Sequence, residues 1–354
     1  MGRVPEFARA WFLAVSARAA FRVLVVAGAI AMLLITWPTW QVRELPPLLP
    51  LAAVPQFSMG WAIVGSLLLV LLTPRVGLAL YAGLSVFAVL QDQTRMLPHV
   101  ASWFFLLLGT LPTASSQLVG RAYLIGMWFF AGWHKLVSPN FFSEVALPIW
   151  RQLLPSAPEV GGYILGVAII GCELGLAVMA AMPRTRRVAC WLALTFHLGT
   201  FAALSPLGMN FSPLIWPWNV VLAFAGFGLL GDWKTSLIVD ARRVGIVARA
   251  AACLVLVMPV GYYLGVVDAH LAHNLFAHNK PIGTIHTLSS DINVEYAVAD
   301  QLGVPLPANH VAFEAYFRAT GKPGQSLEIV DPRWCARVFG YSHRRIPFRA
   351  VGSK

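Results

Sequence analysis

The chain has 354 residues, 58% of them hydrophobic and only 12% charged. With a mean hydropathy of +0.69 and about half the charged content of a soluble domain, a water-soluble globular fold is excluded and most of the chain belongs in lipid. The net charge of +11 is dispersed with no basic groove, which excludes nucleic-acid binding and leaves the question of which loops hold the charge.

Residues 1–22 carry Arg3, Arg9, Arg18 and Arg22. They read as an amphipathic cytoplasmic N-terminal segment; no small-residue cleavage site follows, so the first span is expected to be retained. Apolar runs at 23–37, 58–73, 76–91, 99–112, 118–134, 161–182, 188–205, 214–230 and 250–267 predict a bundle over 23–267. Some are shorter than the ~20 residues a helix needs to cross a bilayer. An N-terminus inside puts Arg75, Arg121, Arg184, Arg186, Arg187, Lys234, Arg242, Arg243 and Arg249 on the inner side. The short outer loops then keep Arg43, Arg95, Lys135 and Arg151, near Glu44, Asp92, Glu144 and Glu159. This is the positive-inside bias, and inverting the chain destroys it.

Between spans, 138–160 is too apolar for open water, yet Pro139, Pro148, Pro155 and Pro158 forbid a long helix. A re-entrant or interfacial segment lidding the bundle is expected. From 268 the composition turns polar. The tail, 268–354, shows a helix-like stretch near 308–320 and a strand-like Leu327-Glu328-Ile329-Val330. It is expected on the periplasmic side, packed on the bundle mouth. The fold class is therefore an all-α polytopic membrane protein of about nine transmembrane helices, with an outer segment and a small α+β extramembrane C-terminal tail. The four cysteines show no CxxC spacing, so no disulfide framework is expected.

Asp92, Arg95, His134, Lys135, Glu173, His197 and Asn219 lie in or beside the apolar runs. An ionisable group in lipid costs about 2.5 kcal/mol or more, so it normally faces the bundle interior and marks a site. With the topology above, all of them fall between the midplane and the outer surface, as does Trp216-Pro217-Trp218-Asn219. Each also has a structural reading. Lys135 at a helix end can snorkel, and Glu173 can pair with Lys135 or His197. His197 can be a satisfied core histidine, and Asp92 and Arg95 can close a helix turn. Trp216 and Trp218 can belong to an interfacial belt. His270, His273 and His278 lack a third ligand type, so no metal site is expected.

Phe129-Phe130-Ala131-Gly132-Trp133-His134-Lys135-Leu136, followed by Phe141-Phe142, resembles a helix-end motif of the vitamin K-dependent γ-carboxylase-like superfamily. This superfamily includes the bacterial "horizontally transferred transmembrane" (HTTM) domains. Glu173, then Pro183-Arg184-Thr185-Arg186-Arg187, then Phe196-His197-Leu198 looks like the next two helices. Asp92-Gln93-Thr94-Arg95-Met96-Leu97-Pro98 and Trp216-Pro217-Trp218-Asn219 look closer to an uncharacterised, DoxX-related bacterial branch. The likeness covers roughly residues 20–265, with a weaker echo at Leu302-Gly303-Val304-Pro305-Leu306-Pro307. It implies that Lys135 matches the lysine implicated as the base in vitamin K hydroquinone oxygenation. The propeptide-recognition region and a second catalytic histidine have no match, so γ-carboxylation of a protein is not implied.

The function expected is base catalysis coupled to quinol oxidation in an outward-facing intramembrane pocket, as in a carboxylase-like lyase or a quinol-linked oxidoreductase. Lys135, Glu173 and His197 would be its catalytic residues. Asp92, Arg95, His134, Trp216, Trp218 and Asn219 would bind substrate. The implied cofactor is a quinol; the implied partners are membrane lipids, a lipid-soluble molecule such as a quinone and a membrane-protein partner. The alternatives are a non-catalytic quinone- or lipid-binding subunit of a membrane complex, or a transporter. The bacterial inner membrane is the expected location.

Overall fold

The computed structural model describes residues 6–231, 235–274 and 276–348, with side chains from residue 17 onward. Arg3 and Lys234 lie outside the described residues, as does the side chain of Arg9. The chain is mostly helical. The first helix, α1 (Glu6–Ile35), runs without a break through the boundary expected at 22. It ends where Pro38 cannot continue the hydrogen-bond ladder. Then follow α2 (Gly60–Leu72), α3 (Pro74–Gln91), α4 (Pro98–Gly109), α5 (Ala114–Leu136), the short α6 (Leu147–Leu153), α7 (Val160–Ala181), α8 (Arg186–Leu204), α9 (Ile215–Leu229), α10 (Leu237–Arg242) and α11 (Ile246–Val257).

Each apolar run expected to span contains a helix, although the run expected at 250–267 is α-helical only to Val257 and leaves through a 3-10 turn, Met258–Tyr262. Among the described residues, four helical stretches are long and apolar enough to cross a membrane: Ala17–Ile35, Pro74–Gln91, Val160–Ala181 and Arg186–Leu204. Helices α2, α4, α9 and α11 are apolar but shorter; α4, with 12 residues, is about 18 Å long at 1.5 Å per residue. The small antiparallel sheet and four membrane-length helices thus form the established frame.

The ends of the helices expected inside are tied by arginine. Arg121 donates to Leu229 O at 2.8 Å and pairs with Asp240 at 2.6 Å. Arg186 donates to Ala180 O at 2.8 Å and to Thr235 O. These side chains cap helix carbonyls that would otherwise lack partners. Where α4 turns into α5, Gly120 faces Gly109, whose backbone a Cβ at residue 120 would strike; the bare glycines let the two helices touch.

The segment between α5 and α7 is short and broken. Residues 142–146 form a π-turn that runs into α6. Phe142 and Leu147 rest against Gly166 and Gly162 of α7. Phe141, Val145, Ala146 and Ile170 make a separate small core there. The segment therefore lies along α7, where its apolar face finds the glycine-lined flank of that helix.

In the tail, β1 (Ile282–His286), β2 (Asp291–Asn293), β3 (Ser326–Val330) and β4 (His343–Pro347) form an antiparallel sheet in the order β2-β1-β3-β4. Its register pairs Ile282 with Val330 and Ser326 with Pro347. Helices α12 (Val294–Leu302), α13 (His310–Thr320) and α14 (Trp334–Val338) complete it. Leu327 and Ile329 alternate inward against Phe313 and Phe317 of α13, all buried. The tail core is continuous with that of the bundle.

Candidate functional site

Lys135 is on the last turn of α5, and Glu173 stands eight residues before the end of α7, at Ala181, which is about 12 Å of helix. Helices α5 and α7 close tightly at Gly132. A Cβ there would lie 2.9 Å from Leu174 Cγ and 3.1 Å from Glu173 Cβ. That approach brings Lys135 Nζ within 2.9 Å of Glu173 Oε1 and 2.8 Å of Oε2, with a third bond to Ala131 O at 3.2 Å. Both residues are buried, and the carboxylate keeps 11% of its side chain accessible. No other donor reaches the carboxylate among the described residues. The pair is thus a nearly isolated ammonium–carboxylate contact in an apolar wall, where its charges are weakly screened.

His197 does not join that pair. Its Nε2 accepts from Trp128 Nε1 at 3.1 Å, so Nδ1 carries the proton and donates to Asn219 Oδ1 at 2.9 Å. Asn219 Nδ2 in turn donates to Ile215 O at 3.0 Å. The ring is held in one neutral tautomer by two partners. Trp128 is seven residues before Lys135, hence on the same face of α5, about two turns deeper. The two polar centres therefore share a helix face but no hydrogen bond. His197, expected as a proton partner of Lys135, makes no hydrogen bond to it, because α8 presents the ring to Trp128 and α9.

The other expected substrate ligands are occupied by the protein itself. Asp92, fully buried, accepts from Thr94 N at 3.1 Å, Thr94 Oγ1 at 2.7 Å and Leu49 N at 3.2 Å, and pairs with Arg43 at 2.6 Å. Arg95 donates to Thr39 O at 2.9 Å, Gln91 Oε1 at 2.6 Å and Gln41 O at 3.1 Å. Together they stitch the loops before α2 to the α3–α4 turn. His134 accepts from the Tyr263 hydroxyl at 2.7 Å through Nδ1 and donates to Ala272 O at 2.8 Å through Nε2, fixing the tail to α5. Trp216 donates to Leu204 O at 3.3 Å. Trp218 packs edge-on against Trp103, centroids 4.9 Å apart. Asp92, Arg95, His134, Trp216 and Trp218 thus each engage other parts of the chain.

Among the described residues no group of three or more His, Cys, Asp or Glu is placed to hold a metal. His270 donates to Met96 O at 2.9 Å, and His273 lies edge-on to Tyr123. The residues missed from the sequence are Trp128, Arg43 and Tyr263. Trp128 was findable from its seven-residue spacing to Lys135; the partners of Asp92 and His134 depend on distant loops. A cleft of about 570 Å³ opens at the seam between bundle and tail, and Lys135, Glu173 and His197 do not line it. Comparison with protein-family models, curated proteins and solved structures finds no match to this chain.

Proposed function

We propose that this chain is a polytopic protein of a bacterial plasma membrane whose Lys135–Glu173 pair exchanges protons with a lipid-soluble substrate of the quinol class. Nine crossings, a cytoplasmic N-terminus and a periplasmic tail go with it, on the strength of the arginine bias of the loops. The observation that carries the reading is the isolated contact of Nζ with both carboxylate oxygens, at 2.8 and 2.9 Å. Transfer of one proton across that contact converts ammonium and carboxylate into a neutral amine and a neutral acid. Low-dielectric surroundings favour the neutral form over what water would allow. The amine so produced can remove a phenolic proton, and Glu173 holds the proton it received. The likeness of residues 129–136 to the carboxylase helix-end motif supports the same assignment of Lys135 and a place beside the HTTM and DoxX-like proteins. Quinol-linked oxidoreductase or carboxylase-like lyase activity follows from that likeness.

A second reading is a non-catalytic quinone- or lipid-binding subunit. It is favoured by the engagement of Asp92, Arg95 and His134 in internal bonds, which leaves few free polar groups around the pair. Native mass spectrometry with lipid extraction on wild type, Lys135→Ala and Glu173→Gln tests the proposed site, and loss of turnover in the folded variants separates the two readings. A quinone-like molecule held by wild type and absent from the folded variants is expected. The same molecule in all three, or none in any, refutes proton exchange at this pair.

A further inference from the structure

The seam cleft is a second site, independent of the Lys135–Glu173 pair. Its volume of about 570 Å³ is that of a small-molecule pocket. One wall is the α3–α4 turn and the chain leaving α11; the other is the start of α13, Tyr341 and β4. The rim is apolar. Leu264, Val266 and Val311 are largely exposed there. Leu264 follows further exposed side chains, Leu254 and Val257 of α11 and Val260 of the 3-10 turn after it. Exposed apolar side chains beside the cleft give it an edge suited to lipid contact where the tail meets the bundle.

Inside, the polar groups fall into two kinds. Arg344 gives Nη1 to Glu314 at 2.6 Å, while its Nε and Nη2 have no partner among the described residues. The Tyr341 hydroxyl reaches only Cys335 Sγ, at 3.9 Å. The side-chain amide of Gln93 makes no hydrogen bond among the described residues, although the residue is 3% exposed and lines the cleft. Its polar atoms are not among the fully buried unpartnered ones, so they open on the cleft and are free to bond to a ligand there. By contrast Asp268, from the bundle wall, is a carboxylate held by Asn309 at 2.7 Å and the His270 amide at 2.8 Å, with acceptor capacity to spare. Arg333 is already engaged by Asp331 and by the Tyr262 carbonyl.

We propose that this cleft binds the headgroup of a zwitterionic phospholipid. The phosphate lies against Arg344 and Tyr341, the ammonium faces Asp268, and Gln93 bonds to the ester oxygens. The acyl chains leave over Leu264 and Val266. Asp268 disfavours an anionic headgroup, and the apolar rim favours a lipid over free phosphate.

The test is native mass spectrometry of the full chain, delipidated in detergent and titrated with phosphatidylethanolamine, phosphatidylglycerol or inorganic phosphate. Wild type should retain one phosphatidylethanolamine and bind phosphatidylglycerol more weakly. Arg344→Gln with Tyr341→Phe should weaken retention by about tenfold or more, since each charge-assisted bond is worth that much. If the double variant unfolds, Arg344→Gln alone serves, because its side chain is 55% exposed. Equal retention by wild type and variant, or a preference for phosphatidylglycerol, overturns the proposal. Binding of inorganic phosphate without lipid overturns the lipid source.

Discussion

Lys135 and Glu173 are each other's principal partner, and this dictates what substitution does. Removing one leaves an unpaired charge in an apolar wall. Lys135→Ala and Glu173→Leu should therefore each cost about 3–5 kcal/mol of stability, measured as a shift in denaturant-induced unfolding in micelles. His197 is different. Its two nitrogens are already matched by Trp128 and Asn219, so it carries no proton to spare for the lysine. The place of each residue along its helix was legible in the sequence because helix rise fixes it. Their pairing was not, because it depends on helix rotation. Rotation turns Trp128 and Lys135 to one side of α5, and α7 and α8 present Glu173 and His197 to different levels of that side.

At the scale of elements, glycine sets how close helices come. Gly120 touches Gly109 backbone to backbone, whereas the nearest atom to a Cβ at Gly175 is the mobile end of Met179, at 3.9 Å. Gly120→Val should thus lower stability by about 1–3 kcal/mol or more, and Gly175→Val should leave it nearly unchanged, by the same unfolding assay. The helices themselves were legible: runs expected at 161–182 and 188–205 appear as Val160–Ala181 and Arg186–Leu204, since uninterrupted apolar runs bounded by Pro and Arg admit little else. The outer segment was legible as non-spanning from its prolines, but its seat along α7 was not. In the tail, α13 and β3 stood out by pattern. Strands β1, with Gly283, and β4, with His343, Arg344 and Arg345, did not. Both are held by pairing to β3, for β1 across a long stretch of chain, as Glu328 with Thr284, and strand propensity is weak against such context.

The molecule as a whole is two regions sharing one core, joined by His134 to Ala272, His270 to Met96 and Arg333 over the Tyr262 ring at 4.4 Å. The tail also carries its own titrating cluster. Glu328 and then Asp291 hold His286 above its usual pKa. His343 and then His286 hold Glu328 below its usual range. The histidine contribution is complete below about pH 6.5 and is lost as pH rises through the raised value. The carboxylate contribution is complete above about pH 4.3 and is lost as pH falls through the lowered one. The sheet should therefore be best protected in weak acid and loosen on both sides. Hydrogen-exchange protection of β1, β3 and β4, corrected for intrinsic rates, checks this; Glu328→Gln should flatten the profile.

Whether the Lys135–Glu173 pair works or merely holds helices together is decided by replacing both partners at once. Buried ion pairs add little stability over apolar residues of similar volume. If the pair is a proton-exchange site, Lys135→Met with Glu173→Leu should unfold at a denaturant concentration equal to or above that of wild type and should lose the bound quinone-like molecule. A double variant that is as unstable as the single ones, yet still holds that molecule, would contradict it.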